Sequence, residues 1–174
     1  MKLAFSLFRY FPYSGLGRDF LRIAKECQKR GHEVHVYTFL WEGEVPEGFQ
    51  HTEISVSGMS NHQRVNDFSK KLSKSLLAQP VNDRFDLMIG FNKIENLDLY
   101  YAADHCYEAN AREQHGKLYR MSKRYKIYHA MEDSVFAPDK NVELLLISGI
   151  QMEIFKEIYH TPAERFHLLP PGVD

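Results

Sequence analysis

From Arg9 to Asp19 the chain reads R-Y-F-P-Y-S-G-L-G-R-D, and these types at this spacing suit the binding of a phosphate. Gly15 and Gly17 let a backbone come close to a ligand and tolerate positive φ. A helix expected to open at Arg18 would add unpaired N–H groups and a positive dipole end. The N–H groups of Leu16 to Arg18 could then stabilise the charge of a diphosphate without a metal ion. A plain turn has the same spacing. The G-x-G-x-x-G dinucleotide fingerprint is not met, because Arg18-Asp19-Phe20 supplies no third glycine. Asp19, placed in the first helical turn, either complements the dipole or faces the cleft. Asp104 directly follows an apolar stretch, Leu97 to Ala103, and a carboxylate at a strand's carboxyl end faces solvent or points into a site. His105 beside it is either a site residue or a buried, hydrogen-bonded imidazole. Lys93, in G-F-N-K, is a loop lysine that could meet an anion or water.

These residues need a scaffold, and the apolar pattern supplies one. Leu3 to Phe8 reads as a strand, the glycine loop follows, and the helix from Arg18 carries Leu21, Ile23, Ala24 and Cys27 before stopping at Lys29-Arg30-Gly31. His32 to Thr38 alternates as a second strand, completing a βαβ unit whose crossover should be right-handed. Phe39 to Phe49 reads as a loop with Trp41 and Glu42 at its mouth. Further strands are expected at His51–Val56, Phe85–Ile89, Leu97–Ala103, Leu144–Ile147 and Arg165–Leu169. Helices are expected from His62 to Gln79 with Asn61 as N-cap, from Glu108 to about Asp133 with Gly116 as a possible break, and from Ile150 to Tyr159. Lys70, Lys71 and Lys74 read as a solvated face of the second helix. This alternation predicts an α/β, Rossmann-like, doubly wound and mostly parallel sheet. Its ligand belongs beyond the carboxyl ends of the strands, where strand order reverses. That rule selects Arg9–Gly17, Phe39–Gly43, Gly90–Lys93 and Asp104-His105 as site loops.

At 174 residues and 44% hydrophobic content the chain suits one globular domain with a proper core. A net charge of −1 gives no global pull toward nucleic acid or membrane, so charge must be read locally. Locally, Lys117, Arg120, Lys123, Arg124 and Lys126 interleave with Tyr119, Tyr125 and Tyr128. On one continuous helix Leu118, Met121, Tyr125 and Tyr128 would share a face. That pattern fits an interfacial helix on anionic lipid, or a helix packing its tyrosines inward. No RNP, KH or glycine-arginine pattern accompanies it, which argues against nucleic acid. Cys27 and Cys106 lack C-x-x-C spacing and read as buried free thiols in a reducing compartment, with no metal site. No apolar run reaches the ~18 to 20 residues needed to cross a bilayer, and no cleavage site follows the first strand, so a cytoplasmic protein is expected.

The loop glycines, Arg18, Ala24, Gly31-His32 and Val34-x-Val36-x-Thr38 resemble the opening of the retaining GT-B glycosyltransferases, the large family that includes glycogen and sucrose synthases. F-P-Y-S-G-L-G-R-D-F, V-Y-T-F-L-W-E-G, G-F-N-K and Y-Y-A-A-D are most similar to its bacterial lipopolysaccharide core glucosyltransferases. The resemblance implies an N-terminal, acceptor-binding domain over residues 1–171, with Pro170-Pro171-Gly172 leading into an interdomain hinge at 172–174. The donor-binding C-terminal domain is not in this chain, so the domain alone should be inactive. It also implies metal-free, cofactor-free transfer of glucose with retention, from a UDP-glucose-type nucleotide sugar to the inner core of lipopolysaccharide, at the cytoplasmic face of the inner membrane. Asp104 and Asp19 would then orient sugar hydroxyls as catalytic carboxylates, with Gly15, Leu16, Gly17, Arg18, Lys93 and His105 binding substrate. Lys117, Arg120, Lys123, Arg124 and Lys126 would meet the membrane. Where the resembling enzymes carry two consecutive glycines, this chain has Ser14-Gly15. A non-catalytic nucleotide- or sugar-phosphate-binding module would suit a lone Rossmann-like domain too. A Rossmann dehydrogenase is disfavoured by the missing third glycine and by the absence of an acid at Tyr37-Thr38.

Overall fold

A computed structural model describes residues 1–169; the Pro-Pro-Gly stretch and the expected hinge lie outside the described residues. The chain forms two compact units, Met1–Asn92 and a second that opens at Lys93. In the first, β1 (Lys2–Ser6) is followed by the two-residue β2 (Arg9–Tyr10), α1 (Gly15–Lys29), β3 (Glu33–Thr38), β4 (Leu40–Trp41), β5 (Phe49–Glu53), α2 (Asn61–Leu77) and β6 (Leu87–Gly90). Strand order is β5-β3-β1-β6, all parallel. Leu3, Ala4 and Phe5 are consecutive and all buried, as a strand covered on both faces requires. The chain moves outward from β1 to β3 to β5 and then crosses back to β6 on the other side of β1. Strand order therefore reverses at β1, and the loop leaving its carboxyl end is the switch-point loop.

Two departures from the sequence pattern matter here. Arg9-Tyr10 pairs in parallel with Leu40-Trp41, so the segment expected as an open loop after β3 is tied down. Ser60 caps α2 instead of Asn61, because Gln63 Oε1 reaches back to the Ser60 and Met59 N–H groups, both at 3.1 Å. The end of α1 follows expectation: Gly31 takes φ +85°, and the N–H groups of His32 and Gly31 close on the carbonyls of Cys27 and Gln28.

The second unit contains β7 (Leu99–Ala102), α3 (Tyr107–Gln114), α4 (Lys123–Phe136), β8 (Glu143–Leu146), α5 (Gly149–Tyr159) and β9 (Phe166–Leu168), with parallel order β7-β8-β9. Its core stacks Phe136 of α4 on Phe155 of α5, ring centroids 3.7 Å apart. Arg165 is buried and donates to the carbonyls of Val135, Ala137 and Val142, which satisfies the C-terminal end of α4. Cys106 is buried as expected, whereas Cys27 is only half-buried, since it lies at the edge of α1's inward stripe.

The loop between β5 and α2 is held by Asp67, which accepts from Ser57 N (2.7 Å), Ser57 Oγ (2.9 Å) and Lys71 Nζ (2.9 Å). Lys71, followed by the Ser57 amide, pushes the Asp67 carboxyl down to about 2. A folded pKa below the unfolded ~3.9 means that this stabilisation is present above pH ~4 and is lost as pH falls through about 2. Asp67→Asn should therefore lower stability at pH 7 and flatten the acid limb between about pH 4 and 2, as followed by urea unfolding across pH.

Candidate functional site

At the switch-point loop, Ser14 decides where α1 starts. Its backbone is extended, its Oγ accepts from Gly17 N at 3.0 Å, and its carbonyl accepts from Arg18 N at 3.0 Å. The helix thus opens at Gly15, three residues before the expected Arg18. Gly15, Leu16 and Gly17 form its first turn, neither glycine needs positive φ, and Asp19 is the fifth helical residue, beyond the first turn. The hydroxyl of Ser14 is spent on the cap, donating to Phe11 O and accepting from Gly17.

The two glycines then differ in purpose. A Cβ on Gly17 would lie 2.5 Å from the Phe11 carbonyl oxygen and 2.6 Å from Ser14 Oγ, so glycine is required there by packing. A Cβ on Gly15 would meet nothing within 4 Å. Of the four first-turn N–H groups, those of Gly17 and Arg18 are consumed by Ser14. Among the described residues those of Gly15, which is exposed, and Leu16 remain. Sequence reasoning had offered Leu16 to Arg18 as donors; the cap shifts the free pair by one or two residues toward Gly15. Leu16 and Asp19 are half-buried, and the Arg18 side chain is exposed.

Phe20 fixes this turn against the sheet. Fully buried, it makes edge contacts with Phe5 of β1 (6.0 Å), Phe91 after β6 (5.4 Å), Tyr10 and Trp41. Asn92 Oδ1 accepts from Phe8 N at 2.7 Å and ties the loops after β1 and β6 together. Trp41, expected at a loop mouth, lies stacked on Tyr10 at 4.0 Å.

In the second unit Asp104 stands two residues past β7. It accepts from Tyr100 Oη and from Lys93 Nζ (3.2 Å), yet its side chain keeps 56% of its surface exposed. Lys93 is 9% exposed and spends its three donors on Asp104, Glu132 Oε2 (2.6 Å) and the His105 carbonyl (3.0 Å). Burial pulls its pKa down, but the carboxylates of Asp104 and Glu132 outweigh that and the net direction is up. The ammonium also lies 5.3 Å from the centre of the Phe155 ring. Lys93 is thus a fixed internal cation. His105 is exposed, contrary to the buried-imidazole alternative, and contributes its carbonyl to the network.

Glu132 is the centre that the sequence did not disclose. It has no solvent exposure and accepts from Lys93, from Tyr159 Oη (2.7 Å), and from the Tyr107 and Glu108 N–H groups (2.8 and 2.9 Å) at the start of α3. Cys106 Sγ adds a contact at 3.4 Å, and burial followed by the Glu132 charge pushes that thiol up to about 12. One signal existed: Tyr125, Tyr128, Glu132, Val135 and Phe136 recur at helical spacing, which puts a carboxylate in an apolar stripe.

The basic stretch is not one helix. Gly116 is extended, Lys117–Met121 forms a 3₁₀ turn, and Ser122 Oγ caps α4 by accepting from Tyr125 N at 3.1 Å. Leu118 and Met121 therefore sit in the turn, 82% and 72% exposed, while Tyr125 is buried with its hydroxyl on Glu108 Oε2 at 2.7 Å. The expected four-residue face does not form. Lys117, Lys123, Arg124, Lys126 and Arg120 are all exposed, and Arg120 also pairs with the buried Glu108 at 3.2 Å. Burial raises the Glu108 pKa, but Arg112 and the Tyr125 hydroxyl bring it below the ordinary carboxylate value. Among the described residues no helix is long and apolar enough to cross a membrane, and no group of three His, Cys, Asp or Glu is placed to hold a metal ion.

No protein-family model matches the chain. Over 173 residues, 99% of its length, it is 40% identical to the lipopolysaccharide glucosyltransferase WaaG of Escherichia coli (strain K12) and spans 45% of that relative. The crystal structure of WaaG, a glycosyltransferase involved in lipopolysaccharide biosynthesis, matches 99% of this chain with a TM-score of 0.92 at 40% identity. Only 45% of that chain is covered. A glycosyltransferase from Rickettsia africae ESF-5 matches with a TM-score of 0.54 at 11% identity over 99% of this chain and 43% of its own, which speaks to the fold alone. The α/β, Rossmann-like reading of the sequence thus agrees with the strands, the helices and the WaaG structure.

The unequal surroundings of the glycines give a direct test. Gly17→Ala should cost about 1–3 kcal/mol, because the Phe11 backbone must move. Gly15→Ala should be neutral or slightly stabilising, since open space lets the helix propensity of alanine act. Calorimetric melting of both variants would check this.

Proposed function

We propose that residues 1–171 are the acceptor-binding N-terminal domain of a retaining glycosyltransferase. Together with a C-terminal donor-binding domain, it would transfer glucose from a UDP-glucose-type donor to the inner core of lipopolysaccharide. The observation that carries this reading is the first turn of α1. At the switch point of a parallel sheet, two N–H groups are left unpaired among the described residues beside a glycine with empty space around it. The likeness to WaaG along the whole chain supports the same reading.

In that reaction the C1–O bond to the nucleotide diphosphate breaks as a new C1–O bond forms to the acceptor hydroxyl on the same face; negative charge grows on the departing phosphate, whose oxygen takes the hydroxyl's proton. The Gly15 and Leu16 N–H groups at the positive end of α1 would stabilise that charge as it forms. Gly15 admits the phosphate because it has no side chain, and Arg18 adds a cation at the end of the same turn. In the second unit, Asp104 would accept hydrogen bonds from sugar hydroxyls, and Tyr100 and Lys93 would keep its carboxylate oriented. Asp19 would take a similar part from α1. Lys93 would act through Asp104, and His105, at the rim, would be free to meet substrate.

The protein would work at the cytoplasmic face of the inner membrane, held there peripherally. The exposed pair Leu118 and Met121 would enter the interface from the 3₁₀ turn while Lys117, Arg120, Lys123, Arg124 and Lys126 meet lipid phosphate.

Two measurements test these readings. The natural protein carrying these residues should transfer glucose from UDP-glucose to purified core acceptor, and Gly15→Val should lower turnover on the order of 100-fold with its melting temperature unchanged. UDP binding without any transfer would instead favour a non-catalytic nucleotide-binding module, and residues 1–174 alone are expected to transfer none. Co-sedimentation with anionic vesicles should fall with added salt and fail on neutral lipid. Lys123→Glu/Arg124→Glu and Leu118→Glu/Met121→Glu should each reduce it; equal binding by folded variants would rule out the membrane reading.

A further inference from the structure

Two arginines in the first unit stand apart from the others. Arg9 and Arg64 are half-buried, and their guanidinium carbons lie 5.2 and 5.4 Å from the centre of one ring, that of the buried Phe39. Arg9 is three residues past β1, Phe39 is the residue after β3, and Arg64 is on the first turn of α2. All three therefore lie at the carboxyl end of the parallel strands, where a doubly wound sheet binds ligands.

Arg18 and Arg84 of the same unit also have no carboxylate partner among the described residues, but both are exposed; other guanidinium groups are answered. Arg30 takes Glu26, Arg112 and Arg120 take Glu108, and Arg165 takes three carbonyls. Among the described residues Arg9 and Arg64 have no carboxylate partner, and Arg9 Nη2 donates to Asn61 Oδ1 at 3.2 Å. Each guanidinium has five N–H donors, and contact with an aromatic face leaves those at its edge available. Asn61 stands three residues before Arg64 on α2, so its bond to Arg9 joins the loop after β1 to the helix turn that carries Arg64. Planar forks of this kind suit phosphate oxygens taken two at a time.

We infer that Arg9 and Arg64, braced on Phe39 and Asn61, form a subsite for a phosphate monoester. The proposed function supplies only the identity of its carrier: a phosphorylated saccharide acceptor, as opposed to the diphosphate of the nucleotide donor. The site is distinct from the Gly15 and Leu16 amides, because it is built from side chains after β1, after β3 and on α2.

Binding is read without turnover, so its outcome is independent of whether glucose transfer is observed. Glucose 6-phosphate, inorganic phosphate, glucose and UDP would be titrated into the natural protein by NMR, with Arg9→Gln/Arg64→Gln and Arg64→Lys alongside. Glucose 6-phosphate and inorganic phosphate should bind more tightly than glucose. The double variant should lose at least about 10-fold of that affinity, since each bidentate guanidinium contact is charge-assisted. Arg64→Lys should restore only part, because an ammonium lacks the fork. UDP affinity unchanged in the double variant places the phosphate on the acceptor; a matching loss places it on the donor, and either supports the subsite. Wild-type protein that binds glucose 6-phosphate no better than glucose, or a folded variant that binds it as wild type does, overturns the inference. Should the double variant melt early, Arg64→Gln alone serves, because among the described residues the Arg64 side chain has no hydrogen bond to lose.

Discussion

A carboxylate without solvent exposure must be answered from within, and Glu132 imposes that demand on the second unit. Lys93, Tyr159, Cys106 and two N–H groups of α3 converge on it. Removing one partner of such a buried pair costs about 3–5 kcal/mol, because the remaining charge is left alone in a low dielectric. The start of α3, the middle of α4 and the end of α5 are consequently fixed around one group. Asp104 is the outward end of the same chain of contacts: it shares Lys93 with Glu132 and takes the hydroxyl of Tyr100. An exposed carboxylate gains a defined direction from a buried one.

The first unit reaches order by other means. Its site loop rests on Phe20 packed among Phe5, Phe91, Tyr10 and Trp41, and on the Ser14 cap. Aromatic edges set the height of α1 above the sheet, and the cap sets the residue at which the helix begins. The register matters chemically. A helix starting at Arg18 would have offered other amides to a ligand, and Gly17 would have been part of a flexible loop.

Hydrogen-bond occupancy separates supporting groups from available ones. Lys93 and the Gly17 amide looked like ligand-binding groups by type and position, and both are consumed internally. The Gly15 and Leu16 amides, the open carboxylate of Asp104 and the paired guanidiniums on Phe39 retain capacity toward solvent. The basic segment divides similarly: Tyr125 is drawn inward by Glu108, whereas Leu118 and Met121 are left outside by the break at Gly116.

The sequence by itself determined the α/β class, the parallel strands, the end of α1 at Gly31, and the loops that leave the carboxyl ends of the strands. Those features follow from apolar period, glycine conformation and the reversal rule, which are local or depend only on element order. It is also 40% identical, over 99% of its length, to a lipopolysaccharide glucosyltransferase. Only the tertiary structure decided that Gly17 is required by packing while Gly15 has open space around it, that Ser14 starts α1, that Lys93 is internal, that the 108–133 segment is broken in two, and that Glu132 and Arg165 are buried. Each of these depends on which groups from distant positions arrive within hydrogen-bond reach. A polar side chain in an apolar stripe reads the same in sequence whether its partner is water or a lysine 39 residues away; desolvation makes the difference, and it exists only once the chain has folded.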